Sequence, residues 1–312
     1  MLKRELASIV TYYGISPIHA GAGSSTSVVD LPIQRERHTN WPHIQASSVK
    51  GALRQHFRRF AENEVKEGRK AREFINYIFG NDSDNDKDYP IKGDKAERLS
   101  NTAGIISVSD AKLLAFPMRS NIAPFVHVTC PAVLKRLIDD LVFCGFETNG
   151  ITIPNIQKEK AMVLKSVNGS SNLQGKILLE DIVVETEING SNNLNAINDY
   201  LKQIENLLLI SDDDFNYCVS YCTEIQTQIK IDTATGTAKD GALRYQELLP
   251  ANTLLYSVVY YSASAFDTDL QAKTVKETVE NGIKGFVQIG GDETLGRGIC
   301  KIEWHSFNGQ GA

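Results

Sequence analysis

Three short stretches combine residue types that could do chemistry on a phosphate. The first runs Pro17-Ile18-His19-Ala20-Gly21-Ala22-Gly23 and resumes at Val29-Asp30-Leu31-Pro32-Ile33-Gln34-Arg35-Glu36-Arg37. Asp30 could hold a divalent ion or orient a nucleophile, His19 could move a proton, and Arg35 and Arg37 could grip phosphate oxygens. On residue types alone this is weak, because a loop aspartate more often caps a turn and a lone histidine is more often structural. The second stretch is Ser47-Ser48-Val49-Lys50-Gly51-Ala52-Leu53-Arg54. Two hydroxyls and free amides at a helix start, with Lys50 in the first turn, suit an anion site at least as well as plain capping, and Gly51 lets a backbone come close. The third is Gly290-Gly291-Asp292-Glu293-Thr294-Leu295-Gly296-Arg297-Gly298, four glycines in nine residues. A tight turn needs one or two, so this loop is expected to pass close to something large, with Arg297 as its electrostatic contact.

These stretches need elements to position them. Residues 6–15 are rich in β-formers and read as a first strand, and 17–27 as a loop. Residues 47–60 make the clearest helix, capped by Ser47, with Val49, Ala52, Leu53, Phe57 and Phe60 at helical spacing and a basic stripe of Lys50, Arg54 and Arg58. Strands are expected at 104–116 and 124–129, then a helix over 131–144. The stretches 162–167 and 176–185 flank Asn168-Gly169-Ser170-Ser171 as a hairpin. Helices follow at 195–208, 212–223 and 270–281, with strands at 226–232, 253–262, 284–289 and 298–304. The mixture lacks strict βαβα alternation, which predicts an α+β fold with an antiparallel sheet in one elaborated domain over 1–312.

Composition narrows the function. Apolar residues make up 42% of 312, so the chain can bury a core, and no apolar run reaches the roughly 20 residues of a membrane span. The start has no apolar export signal, which points to the cytoplasm. Five cysteines, at 130, 144, 218, 222 and 300, fit reduced thiols. The net charge of −5 conceals an asymmetry: residues 1–72 carry 12 Lys/Arg against 6 Asp/Glu, while the rest of the chain is acidic. A basic first quarter suits a polyanion-binding face. The segment Asn81-Asp82-Ser83-Asp84-Asn85-Asp86-Lys87-Asp88 has Lys87 and Gly93 where a calcium loop needs Gly and Glu, so it reads as a solvated insertion. No phosphate-binding Gly-Lys-Ser/Thr loop, Gly-x-Ser-x-Gly elbow or His-Glu-x-x-His helix is present.

The blocks Val28-Val29-Asp30-Leu31-Pro32-Ile33-Gln34-Arg35-Glu36-Arg37-His38-Thr39, Ser47-Ser48-Val49-Lys50-Gly51, Arg244-Tyr245-Gln246-Glu247-Leu248-Leu249-Pro250 and Gly290 to Gly298 occur in order along the chain. Together they resemble the backbone subunits of type III-B (Cmr) CRISPR effector complexes, within the RAMP superfamily of RNA-binding proteins. The resemblance implies a modified RRM-like (ferredoxin-like) palm, with insertions at about 61–104 (a helical and acidic finger) and 150–187 (a thumb β-hairpin). It implies a filament of copies along the guide crRNA, joined by other effector subunits, that cuts single-stranded target RNA at regular intervals. On this resemblance Asp30 is the cleaving residue and the ligand of a divalent ion, Mg²⁺ or Mn²⁺. His19 and Glu247 accompany it, and Arg35, Arg37, Ser47, Ser48, Lys50, Arg54, Gly290, Gly291 and Arg297 contact RNA. The alternative is a purely architectural RNA-binding subunit whose Asp30 is inert.

Overall fold

The structure is a computed structural model that describes residues 6–64, 68–80, 103–148, 150–166, 173–187, 195–264 and 270–306. In chain order its elements are β1 (Ala7–Gly14), β2 (His43–Ile44), α1 (Ala46–Glu64), α2 (Gly68–Phe79), β3 (Ile106–Val108), β4 (Ala111–Arg119), β5 (Phe125–Thr129) and α3 (Pro131–Phe143). They continue with β6 (Lys160–Lys165), β7 (Gly175–Leu179), β8 (Ile182–Glu187), β9 (Leu207–Ile210), α4 (Asp212–Tyr221), β10 (Glu224–Gln228), β11 (Arg244–Leu248), β12 (Leu254–Tyr261), α5 (Ala272–Gly282), β13 (Gly285–Gln288) and β14 (Ile299–Ser306).

β1 is a run of β-formers buried on both faces, which suits a central strand. It pairs antiparallel with β12 on one side and β14 on the other, and β12 pairs antiparallel with β4. The order β14-β1-β12-β4 has α1 lying between β1 and β4 in the chain and α5 between β12 and β14, each link stepping over one strand. This is the ferredoxin-like palm. α1 buries Val49, Leu53, Phe57 and Ala61, one per turn. The end of α5 comes so close that a Cβ on Gly282 would lie 2.6 Å from the Phe57 ring, so only glycine permits this contact.

Beyond β4 the sheet continues through β5, β9, β6, β8 and β7. Two of these neighbours, β5 with β9 and β6 with β8, are parallel, a departure from the expected antiparallel sheet. Parallel pairing requires a crossover of a dozen residues or more, and the segment from α3 to β9 supplies one for β5 and β9.

The expected hairpin over 162–185 differs from the observed pairing. β6 pairs with β9 and β8, and the hairpin is β7–β8, turning at Glu180 and Asp181, where Glu180 has φ +52°. The expected turn at 168–171 lies outside the described residues, as does the acidic stretch at 81–100. The expected helix over 195–208 is a 3₁₀ segment (Asn195–Leu201) followed by β9, because a short continuous apolar run reads equally as strand or helix. β10 and β11 form a separate two-stranded sheet, an arm whose connecting segment 229–243 is mostly exposed. Among the described residues no helix is long and apolar enough to cross a membrane.

Candidate active site

One edge of β11 faces β10, and the other receives the loop that carries His19 and Asp30. Along that second edge the Tyr245 N–H donates to Asp30 Oδ2 at 2.8 Å. The Leu31 N–H donates to the Tyr245 carbonyl at 3.0 Å, and the Glu247 N–H to the Leu31 carbonyl at 3.0 Å. The Glu247 carbonyl accepts from His19 Nδ1 at 2.8 Å. The two anchoring groups, the N–H of the peptide before Tyr245 and the carbonyl of the peptide after Glu247, are three peptides apart, about 10 Å of strand. A carbonyl oxygen can only accept, so Nδ1 is the donor, and Nε2 is the nitrogen that carries a lone pair in the neutral ring. Asp30 is half-buried, and its second oxygen has no partner among the described residues.

The side chain of Glu247 does something else. It is 9% exposed, and it accepts from Arg35 Nη2 at 2.6 Å, Thr223 Oγ1 at 2.8 Å and the Ile33 N–H at 3.0 Å. Arg35 also donates to the carbonyls of Asn40 and Val219. The pair fastens the Asp30 loop to β11, so Arg35 is turned inward instead of toward a ligand. Arg37, two residues on, is exposed and has no partner among the described residues.

The glycine loop passes close to something, and that something is this chain's own backbone. Gly290 has φ +95°, and a Cβ there would lie 2.5 Å from the His19 carbonyl oxygen. The Gly291 N–H donates to that oxygen at 2.9 Å. Arg297 is 13% exposed and donates to Asp292 at 2.8 Å, Gln246 at 2.7 Å and Gln226 at 2.5 Å. Gln228 donates to Gln246 in the same network. These bonds hold the root of the arm to the glycine loop. The alternation of Gln226 and Gln228 along one strand was a readable signal for this network, whereas nothing in the sequence marked the Tyr245 amide or Thr223.

On α1 the expected cap is absent. Ser47 is exposed, and the first helical amide, that of Ala46, donates to Asp110 Oδ1 at 2.7 Å. Lys50 reaches the Ile106 carbonyl at 3.0 Å, where burial, and then the nearby Arg54 guanidinium, holds it below the usual lysine range. Arg54 donates to the Gly80 carbonyl and to Asn76. The basic stripe thus joins α1 to β3 and α2, while Ser47 and Gly51 remain on the exposed side, with nothing within 4 Å of a Cβ at Gly51.

Among the described residues no three His, Cys, Asp or Glu side chains gather as a metal site. Asp30 offers here a carboxylate oxygen without a partner among the described residues. That donor set suits an ion shared with RNA phosphates and water, the usual habit of Mg²⁺, and does not make a cage of protein ligands.

The RAMP superfamily model matches residues 11–301. A protein of Pyrococcus furiosus described as the CRISPR system Cmr endoribonuclease Cmr4 is 33% identical over 306 residues, covering 95% of each chain. The CMR subunit Cmr4 of Saccharolobus solfataricus is 26% identical over 95% of this chain and 98% of its own. The crystal structure of oligomeric Cmr4 from Pyrococcus furiosus superposes with a TM-score of 0.69 at 28% identity, covering 97% of this chain and 100% of that one. Together with the palm order and the loop seated on β11, these matches establish that the chain belongs to the RAMP superfamily, in its Cmr4 branch.

Proposed function

We propose that this chain is the target-cleaving backbone subunit of a type III-B CRISPR effector complex, an RNA-guided endoribonuclease acting in the cytoplasm. The observation that carries the reading is that one strand edge holds both Asp30 and His19 and leaves each a free atom. In the reaction, the free Asp30 oxygen orients a target 2′-hydroxyl for in-line attack on the neighbouring phosphorus and His19 Nε2 takes its proton; the P–O5′ bond breaks as the O2′–P bond forms, leaving a 2′,3′-cyclic phosphate, and the departing 5′-oxygen takes a proton from water. A divalent ion, Mg²⁺ or Mn²⁺, held by Asp30 together with RNA phosphates, would supply charge stabilisation at that phosphate. Arg37, Ser47, Ser48 and the open face at Gly51 are the RNA-contacting surface, alongside guide crRNA and single-stranded target. Copies of the chain line up along the guide in a filament with the other effector subunits, in keeping with the oligomeric Cmr4 crystal. A head-to-tail interface that does not close gives such a filament.

The thumb expected at 150–187 would have displaced bases of the guide–target duplex; that role goes instead to the β10–β11 arm, because β7–β8 is built into the edge of the main sheet while the arm forms a sheet of its own with Ile229, Ile231 and Leu243 exposed. The deciding experiment is Asp30→Asn in the reconstituted complex. Asparagine keeps an oxygen to accept the Tyr245 N–H and loses the charge, so target cutting should fall by about 10² or more while target binding stays the same. Wild-type cutting by the variant would leave only the architectural role.

A further inference from the structure

We infer that Gly21 is a positioning residue for proton transfer, because the His19 imidazole stands where any side chain at position 21 would strike it. This rests on the reading of His19 given above. A Cβ built on Gly21 would lie 2.9 Å from His19 Nε2 and 3.5 Å from Cδ2 and Cε1, so the imidazole fills the space that an alanine methyl would need. Gly21 itself does not adopt a positive φ, so glycine is required there by space and not by backbone conformation.

Neither party can step aside cheaply. The backbone of Gly21 is tied into a ladder: its carbonyl accepts from Gln34 Nε2 at 3.1 Å, the Ala22 N–H donates to the Pro32 carbonyl at 2.9 Å, and the Gln34 N–H donates to the Ala20 carbonyl at 2.8 Å. The imidazole is held at Nδ1 by the Glu247 carbonyl, and the His19 backbone is held by the Gly291 N–H, which donates to its carbonyl at 2.9 Å. Turning the ring away from a methyl group at position 21 takes Nδ1 off its acceptor and hides Nε2. The same ladder leads through Pro32 to Leu31 and Asp30, so the glycine sets the ring against the strand that also anchors the carboxylate. Gly21 therefore does for Nε2 what Glu247 does for Nδ1: one fixes the ring, and the other leaves the working nitrogen uncovered.

The test is a double-mutant cycle in the reconstituted guide-loaded complex, read as single-turnover cutting of a complementary target, with target binding and complex assembly measured alongside. Gly21→Ala is expected to slow cutting by about 10², the range of a lost acid–base group, with binding unchanged. His19→Ala is expected to slow it similarly. In the His19→Ala background the Gly21→Ala change is expected to cost nothing further, because there is no ring left to displace. A merely structural glycine would add its own loss in both backgrounds. If Gly21→Ala alone prevents assembly, assembly should return in His19→Ala/Gly21→Ala, which supports the same contact. Failure of assembly in both, wild-type cutting by Gly21→Ala, or an equal further loss in the His19→Ala background each overturns the inference. A parent complex that does not cut target, or a His19→Ala complex that cuts at the wild-type rate, would instead overturn the functional reading beneath it.

Discussion

On α1, Lys50 and Arg54 give their hydrogens to Ile106, Gly80 and Asn76, so the cations of that helix fasten it to its neighbours. Along β11 the fastening is done by peptide groups and by the Glu247 carboxylate, and the side chains that hang from the peptides, Asp30 and His19, each keep a free atom. Both regions carry residue types suited to phosphate chemistry. What separates them is which atoms are left over after the fold has been held together. A charged side chain whose hydrogen bonds are complete within the chain is structure, whatever its type.

The largest effect that could break this division lies at Glu247, which belongs to the holding set despite sitting beside the reacting groups. Glu247→Ala strands Arg35 and the Ile33 amide in a nearly water-free spot, so thermal or urea unfolding should show a loss of about 3–5 kcal/mol, with cutting falling alongside it. A Glu247→Ala chain as stable as its parent that nevertheless cannot cut would make this carboxylate a reacting group.

His127 sharpens the division at a second imidazole. Burial holds it down to about 4 from 6.5, partly offset by hydrogen bonds with the Asn252 and Asn206 backbone. The folded value lies below the unfolded one, so the neutral ring contributes stability above about pH 6.5 that is lost as pH falls toward 4, about 3 kcal/mol in all. Unfolding free energy followed across that window should slope downward with falling pH in the parent and flatten in His127→Gln.

The smallest effects compare two cations directly. Lys50→Ala should cost about 1 kcal/mol of stability and leave the salt dependence of guide binding unchanged. Arg37→Ala should leave stability within about 0.5 kcal/mol and lower the slope of log affinity against log salt by about 1. The reverse pattern would return α1 to the RNA-contacting surface through its lysine.

Much of the palm was legible because periodicity reports burial directly. β1, α1, α3, α5, β12 and β14 fall where alternation or helical spacing placed them. β9 was not, since Leu207-Leu208-Leu209-Ile210 has no period to distinguish strand from helix. The pairing of β10 with β11 was hidden too, because an exposed connection with no core of its own separates them. At the site, Asp30 and His19 were legible by type and by resemblance. Their anchors were not, because a peptide N–H or carbonyl has no residue type. The inward turn of Arg35 was equally hidden, since Glu247 is remote in sequence, and for Arg297 the alternating Gln226 and Gln228 gave a sign of a polar strand face but not of its distant partner.

β11 borders the arm on one side and the reacting groups on the other, and this sets the tolerance of the chain to changes in length. Successive peptides of a strand point to opposite edges. One residue inserted between Tyr245 and Glu247 would therefore leave only one of the two facing the loop, so the amide for Asp30 and the carbonyl for His19 could not both be presented. Residues added between Ile229 and Leu243 leave that alternation intact. Relatives of this chain should accordingly differ freely in the length of the arm tip and hold the five positions of β11 without a gap.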